Sequence, residues 1–207
     1  MTNWEKDKIK LNNIDVATFD KVDNTIIDYL KEQIKNKKKL KKVINKLAGH
    51  INDEFNISVT KDYSNYICSC IGGHSITNNI LKSVDILSRD MPIFVKESWI
   101  NFQKKYEFNP LHDHSGIFSF IIFMQIPYKI EEEMKVFPNV NGQSTSCLSF
   151  VYNQVDGKIQ VLNCNVDESY LYKMLIFPAK LNHMVYPFYT SNKERITVSG
   201  NVKFFIE

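Results

Sequence analysis

The sequence has little of the residues that mark several large protein classes. Of 207 residues only seven are glycine, six proline and four cysteine. With 43% hydrophobic and 13% aromatic residues beside so little Gly and Pro, a collagen-like or wholly disordered chain is excluded. The four cysteines (Cys68, Cys70, Cys147, Cys164) come without a signal-peptide pattern. They are therefore expected as reduced thiols in a cytoplasmic protein and not as a disulfide framework. Cys68-Ser69-Cys70 lacks the second cysteine pair that would specify zinc. Long apolar runs are missing too: Ile117 to Ile126 is interrupted by Ser119 and Gln125 and is far shorter than a membrane span, so a soluble protein is expected. Charge of one sign is nearly balanced, at +3 net, and does not demand nucleic acid or an anionic membrane.

What is present divides the chain in two. Before about residue 92 the apolar residues follow helical spacing. Ile26, Ile27, Leu30 and Ile34 share a helical face after the capping candidates Asp23-Asn24-Thr25. Leu40, Val43, Ile44 and Leu47 predict a second helix stopped at Gly49, and Ile80, Leu81, Val84 and Leu87 a third ending before Pro92. From Ile93 onward short apolar and aromatic runs alternate with turn residues. They predict strands over 93–103, 116–126, 146–152, 158–163, 172–177, 183–189 and 196–205, with Asn141-Gly142 and Asp156-Gly157 as turns. Many short strands with brief connections favour a sandwich or barrel over a parallel α/β sheet. The length fits one domain, 1–207, in which residues 1–92 form a mostly helical support and 93–207 the β core.

The chemistry lies in the β half. Pro110-Leu111-His112-Asp113-His114 is followed by Asn182-His183-Met184 and then by Glu194-Arg195-Ile196-Thr197. Residues two apart on a strand share a face, so His112 and His114 can offer their imidazoles to one metal, with His183 closing a triangle. A lone His-x-His fits a hydrogen-bonded surface strand end better than a metal site; His183 and Arg195 reverse that balance. Arg195 by itself could form a surface salt bridge. Its guanidinium could also hold a carboxylate through two parallel charge-assisted hydrogen bonds. Trp99 and Asn101 share a strand face; Trp99 reads as core or pocket wall. His50 and His74 have no partner pattern and read as packing or surface residues.

Ser98-Trp99-Ile100-Asn101, Asn109 to Gly116, Ser119, Ile126-Pro127-Tyr128, Phe177-Pro178-Ala179 to His183, and Arg195-Ile196-Thr197 together make the stretch from Val95 to Asn201, about half the chain, resemble the Fe(II)/2-oxoglutarate-dependent oxygenases. The likeness is to the short prolyl-hydroxylase-like members found in phage genomes. The resemblance implies a double-stranded β-helix (jelly roll) braced by helices. It also implies Fe(II) and 2-oxoglutarate as cofactors, O2 as cosubstrate and dioxygenase activity, with hydroxylation as the expected outcome. His112 takes the first histidine position, His114 the position usually held by aspartate, and His183 the distal histidine. Arg195, twelve residues after His183, matches the residue that binds the far carboxylate of 2-oxoglutarate. Thr197 takes the place of the assisting hydroxyl, and Asn101 joins them as a candidate cosubstrate contact.

The chain departs from the family pattern at His114. Neutral imidazole in place of a carboxylate leaves the metal site one unit more positive. Three assignments stay open: three histidines, Asp113 turned inward as the carboxylate ligand, or a His114-Ser115-Gly116 motif in which Gly116 vacates a position for an external anion, as in iron halogenases. Two functional rivals accompany them, an inactive jelly-roll binding module and a cupin-like three-histidine dioxygenase that does not use 2-oxoglutarate. The eight lysines between Lys31 and Lys46 could meet a phosphate backbone, but without interleaved aromatics they read first as a solvated helix face. Lys129 to Asn141, with Glu131-Glu132-Glu133, is the candidate lid. The sequence leaves the prime substrate open, because specificity sits in loops.

Overall fold

Buried residues at every position of a strand require cover on both of its faces, and the run Phe118 to Met124, apolar but for Ser119, is of that kind. A computed structural model, describing residues 8–11, 14–43, 49–73, 92–142, 144–154 and 156–205, shows how the cover is supplied. The described strands are β1 (Lys8–Leu11), β2 (Ile14–Phe19), β3 (Lys41–Lys42), β4 (Glu54–Asn56), β5 (Ile93–Gln103), β6 (Asn109–His112), β7 (Phe118–Gln125), β8 (Leu148–Asn153), β9 (Ile159–Cys164), β10 (Met174–Pro178), β11 (Asn182–Val185) and β12 (Arg195–Phe204). The helices are α1 (Asn24–Lys35), α2 (Lys61–Gly73) and the single turn α3 (Ile130–Glu133).

The strands form two antiparallel sheets, a large one ordered β1-β2-β10-β7-β12-β5-β4-β3 and a small one ordered β6-β11-β8-β9. From β5 onward the chain passes between the large and small sheets at each step, apart from the β8–β9 hairpin. That path is a double-stranded β-helix. On β7, Phe118, Phe120 and Ile122 pack outward with Ile27 and Leu30 of α1 and Tyr63, Ile67 and Ile71 of α2. Ile121 and Phe123 face the other way and join Leu148, Phe150, Phe177 and Leu181 between the sheets. The helices thus cover one face of the large sheet and the small sheet covers part of the other.

The first helix follows its sequence pattern. Asp23 caps it, accepting from the Thr25 amide at 2.8 Å, and Ile26, Ile27 and Leu30 are buried. The second expected helix does not form where described: residues 37–39 make a 3-10 turn and Lys41–Lys42 pair with β4, while 44–48 lie outside the described residues. Lys37 and Lys42 turn onto Asp53 at 3.3 and 3.4 Å, and Lys104 joins them at 3.3 Å, so pairing with β4 and this charge cluster override the helical spacing. The third expected helix also lies outside the described residues. A helix that the reading did not anticipate, α2, buries Tyr63, Ile67, Cys70 and Ile71 on one stripe and begins at Thr60, whose hydroxyl accepts from the Tyr63 amide. The N-terminal part contributes four outer strands as well as helices, β1-β2 at one end of the large sheet and β4-β3 at the other.

The expected lid is fastened at its start. Glu133, fully buried, accepts from the Tyr189 amide at 3.0 Å and from the Thr190 amide and hydroxyl at 2.7 and 2.6 Å. A carboxylate with those partners holds α3 against the 189–190 loop.

Candidate metal centre

β6 and β11 are neighbours in the small sheet, and their register sets His112 directly opposite His183. His114 lies two residues past His112, where its amide donates to the Ala179 carbonyl at 2.8 Å and ties this turn to the end of β10. The three rings converge, with centroids 4.3 Å apart for His112 and His183, 4.9 Å for His112 and His114, and 5.0 Å for His114 and His183. One nitrogen from each lies within 4.8 Å of the others, which suits three bonds of about 2 Å to a single ion.

Two of the rings are held in a defined tautomer. His112 Nδ1 lies 2.6 Å from the Pro110 carbonyl oxygen, and His183 Nδ1 lies 2.9 Å from that of Leu181. A carbonyl only accepts, so Nδ1 carries the hydrogen and Nε2 keeps the lone pair a metal needs. Burial, reinforced by the other imidazoles, lowers His114 to about 4 and His183 to about 3, and burial lowers His112 as well. At pH 7 all three are neutral ligands, and no proton has to leave before a cation enters.

The second half of the site comes from the large sheet. Along β5, Trp99, Asn101 and Gln103 share the inward face, and register sets them opposite Ser199, Thr197 and Arg195 of β12. Arg195 is 2% exposed. Its Nε and Nη2 both donate to Gln103 Oε1 at 2.9 and 2.7 Å, Nη1 to Tyr128 Oη at 2.8 Å and the Ser146 carbonyl at 2.7 Å, and Nη2 also to the Tyr186 carbonyl at 3.0 Å. Every partner is neutral. A buried guanidinium with no described counter-ion is electrostatically incomplete, and an anion in its cavity would complete it. The histidines, Arg195, Thr197 and Asn101 line one cavity.

Residues 97–201, half of the chain, match the family described as "Putative 2OG-Fe(II) oxygenase". The chain belongs to that family. Among solved structures, a Pseudomonas putida prolyl-4-hydroxylase is similar at TM-score 0.50 and 9% identity over 93% of this chain and 92% of its own. A Burkholderia pseudomallei oxidoreductase of the 2OG-Fe(II) oxygenase family matches at TM-score 0.51 and 11% identity over 91% and 84%. At such identities the likeness concerns the fold. No curated protein matches the sequence.

Membership of the 2OG-Fe(II) oxygenases brings Fe(II) and 2-oxoglutarate as cofactors and dioxygen as cosubstrate. The residues of this oxygenase fit both: three metal-ready imidazoles, and a buried cation in the same cavity. The other candidates fall as follows. Asp113 Oδ2 meets Lys180 Nζ at 3.2 Å on the surface and is not part of the histidine cluster. Gly116 has φ +125°, and a Cβ there would come within 2.6 Å of the Val202 carbonyl oxygen, so glycine serves the turn into β7 and its close approach to β12. Thr197 Oγ1 accepts from Asn101 Nδ2 at 3.2 Å. Trp99 lines the cavity, its ring 5.7 Å from that of His114. His50 pairs with Phe108 across a β-bridge, away from the histidine cluster, and His74 lies outside the described residues.

Sequence reading gave no role to Gln103, Tyr128, Glu54 and Asn109, although Asn109 and Tyr128 stand among the residues that carry the family resemblance. Gln103 had a signal, being two residues beyond Asn101 on the same strand face. Glu54 approaches the site through tertiary packing that no local pattern announces. No helix among the described residues is long and apolar enough to cross a membrane.

Proposed function

We propose that this chain is an Fe(II)- and 2-oxoglutarate-dependent dioxygenase that hydroxylates its substrate. His112, His114 and His183 hold the iron, and Arg195, with Thr197 and Asn101, holds the cosubstrate. The observation that carries the reading is the pairing, in one cavity, of three ring nitrogens within 4.8 Å of one another and a buried guanidinium without a counter-charge.

Iron with 2-oxoglutarate supplies the oxidising chemistry, converting the keto acid and dioxygen to succinate and carbon dioxide while oxygen passes to the substrate. The chain's own residues bind, orient and exclude. The carbonyls of Pro110 and Leu181 fix the rings of His112 and His183 so that their lone pairs face the centre. Arg195 holds its fork of Nε and Nη2 ready on the Gln103 amide oxygen, and a carboxylate, being charged, outcompetes that neutral acceptor for the same two donors. Phe123, Leu148 and Phe177 line the cavity and keep bulk water from it. Asp113 stays with Lys180 in this reading and leaves the ligand set all-imidazole.

One observation favours a second reading. All five Arg195 N–H donors are already used within the protein, as in a three-histidine centre that works without the keto acid. Succinate release from 2-oxoglutarate by the iron-loaded protein in air, measured without prime substrate, separates the two. Slow release that requires iron supports the proposal. Iron uptake without any release favours the second reading, and absence of iron uptake leaves an inactive jelly-roll module.

A further inference from the structure

The cavity carries two acceptors that nothing in the fold uses, one from each sheet. Glu54, on β4, is 6% exposed and lines the same cavity as the histidines, and its Oε1 has no hydrogen-bond partner. Asn109, at the start of β6, also lines it with an unpartnered Oδ1. The two oxygens converge: a Cβ added to Gly49 would run into Asn109 Oδ1 and lie 3.3 Å from Glu54 Oε1. Asn101, the register partner of Glu54 one strand over, leaves its own Oδ1 unpartnered as well.

A buried carboxylate without a cation or a donor is costly. Among the described residues no lysine, arginine or histidine forms an ion pair with Glu54. The neighbouring Asp53, by contrast, meets Lys37, Lys42 and Lys104. The lysines of this region gather on the outer carboxylate and leave the inner one bare. Burial, and then the charge of Glu107, raise Glu54 to about 7, as expected of a group that lacks its counter-charge.

Resting on the oxygenase reading above, we infer that the prime substrate presents a protonated nitrogen, an ammonium or a guanidinium, to Glu54 Oε1 and Asn109 Oδ1 beside the histidine centre. Such a group brings several donors and a positive charge, which is what two converging unpartnered acceptors, one of them a carboxylate, require. A neutral aliphatic substrate would leave both oxygens desolvated and unpaired. Of the common biological side chains, those of lysine and arginine have this chemistry.

The test uses the iron- and 2-oxoglutarate-loaded protein without oxygen, titrated calorimetrically with L-lysine, L-arginine, and the neutral counterparts L-norleucine and L-citrulline. The Nα-acetyl amides of both cations separate a free amino acid from a residue within a peptide. At least one cation is expected to bind ten-fold or more tightly than its neutral counterpart, and Glu54→Gln to bring the pair near parity. Asn109→Ala, an independent variant, should weaken the cation more than the neutral compound. Equal affinities, a preference unmoved by both variants, or no binding by any probe to wild-type protein that does release succinate in air would overturn the inference alone. Wild-type protein that takes up no iron and releases no succinate would instead remove the oxygenase reading beneath it.

Discussion

At the residue scale the site is a balance of charges that the fold leaves open on both sides. The imidazoles are neutral and mutually close, and the guanidinium is charged and unmatched. Arg195→Lys keeps the charge and loses the fork, so the 2-oxoglutarate concentration needed for half-maximal succinate release should rise about ten- to a hundred-fold, the value of a bidentate charge-assisted contact. Iron affinity should not change, since Arg195 touches none of the three histidines. Glu54 gives a pH prediction of definite sign. Its folded pKa, about 7, lies above the ordinary carboxyl value of 4.5. Between those values the folded state binds the extra proton, so stability from this residue falls as pH rises from about 4.5 to about 7. Glu54→Gln should therefore be more stable than wild type at pH 8, on the order of 1–2 kcal/mol after allowance for solvent, and the gain should vanish near pH 4 in denaturant titrations. His112 and His114 were read from the sequence as one unit on the two-residue repeat of a strand, but β6 ends at His112 and His114 is set by the turn that follows, its amide on the Ala179 carbonyl. Glu54 could not be read at all, because its relation to the centre exists only once β4 has paired with β5.

At the scale of elements, local signals succeeded where one spacing dominated and failed where tertiary contacts competed. α1 has a cap and an apolar stripe, and Asp23→Ala should cost about 1 kcal/mol of stability by removing the acceptor for the Thr25 amide. α2 was hidden by its polar residues, although Tyr63, Ile67, Cys70 and Ile71 carry the helical spacing and Thr60 the cap. The lysine-rich 37–42 segment was read as helix because apolar spacing was the only visible cue, whereas pairing with β4 and the attraction of Asp53 decided its course. Around α3 the prediction concerns fastening. Glu133→Ala removes every acceptor of the Tyr189 and Thr190 donors and should destabilise by roughly 3 kcal/mol. Hydrogen exchange should then rise at those two amides before it rises in β7 or β12.

On the scale of the whole molecule, the active cavity is the seam between two sheets. The small sheet and its adjoining turn supply the imidazoles, while β12 and β5 of the large sheet supply Arg195, Thr197 and Asn101. Nothing short of both sheets brings the halves together. Within the large sheet, β12 fits between β7 and β5 only because position 200 is glycine, where a Cβ would strike the Phe120 ring and the Glu97 carbonyl. Gly200→Ala should cost about 2–4 kcal/mol and, by shifting the strand that carries Arg195, weaken 2-oxoglutarate binding more than iron binding. Seven of the eight strands from Ile93 onward were legible because alternation and turn residues recur there. β6 was not read as a strand, since four residues beginning Asn109-Pro110 carry no alternation, yet it holds the first histidine. Strands β2 and β4 are set by pairing with the distant β10 and β5, and β1 and β3 extend the sheet from them. The central claim is that one ion held by His112, His114 and His183 shares its cavity with a keto acid gripped by Arg195. It is tested most directly by adding 2-oxoglutarate to the Fe(II)-loaded protein without oxygen and recording visible absorption. The account predicts a weak metal-to-ligand charge-transfer band for wild type, lost in His183→Ala and reached only at higher 2-oxoglutarate in Arg195→Lys; a wild-type band absent at saturating cosubstrate, or one that persists in His183→Ala, would contradict it.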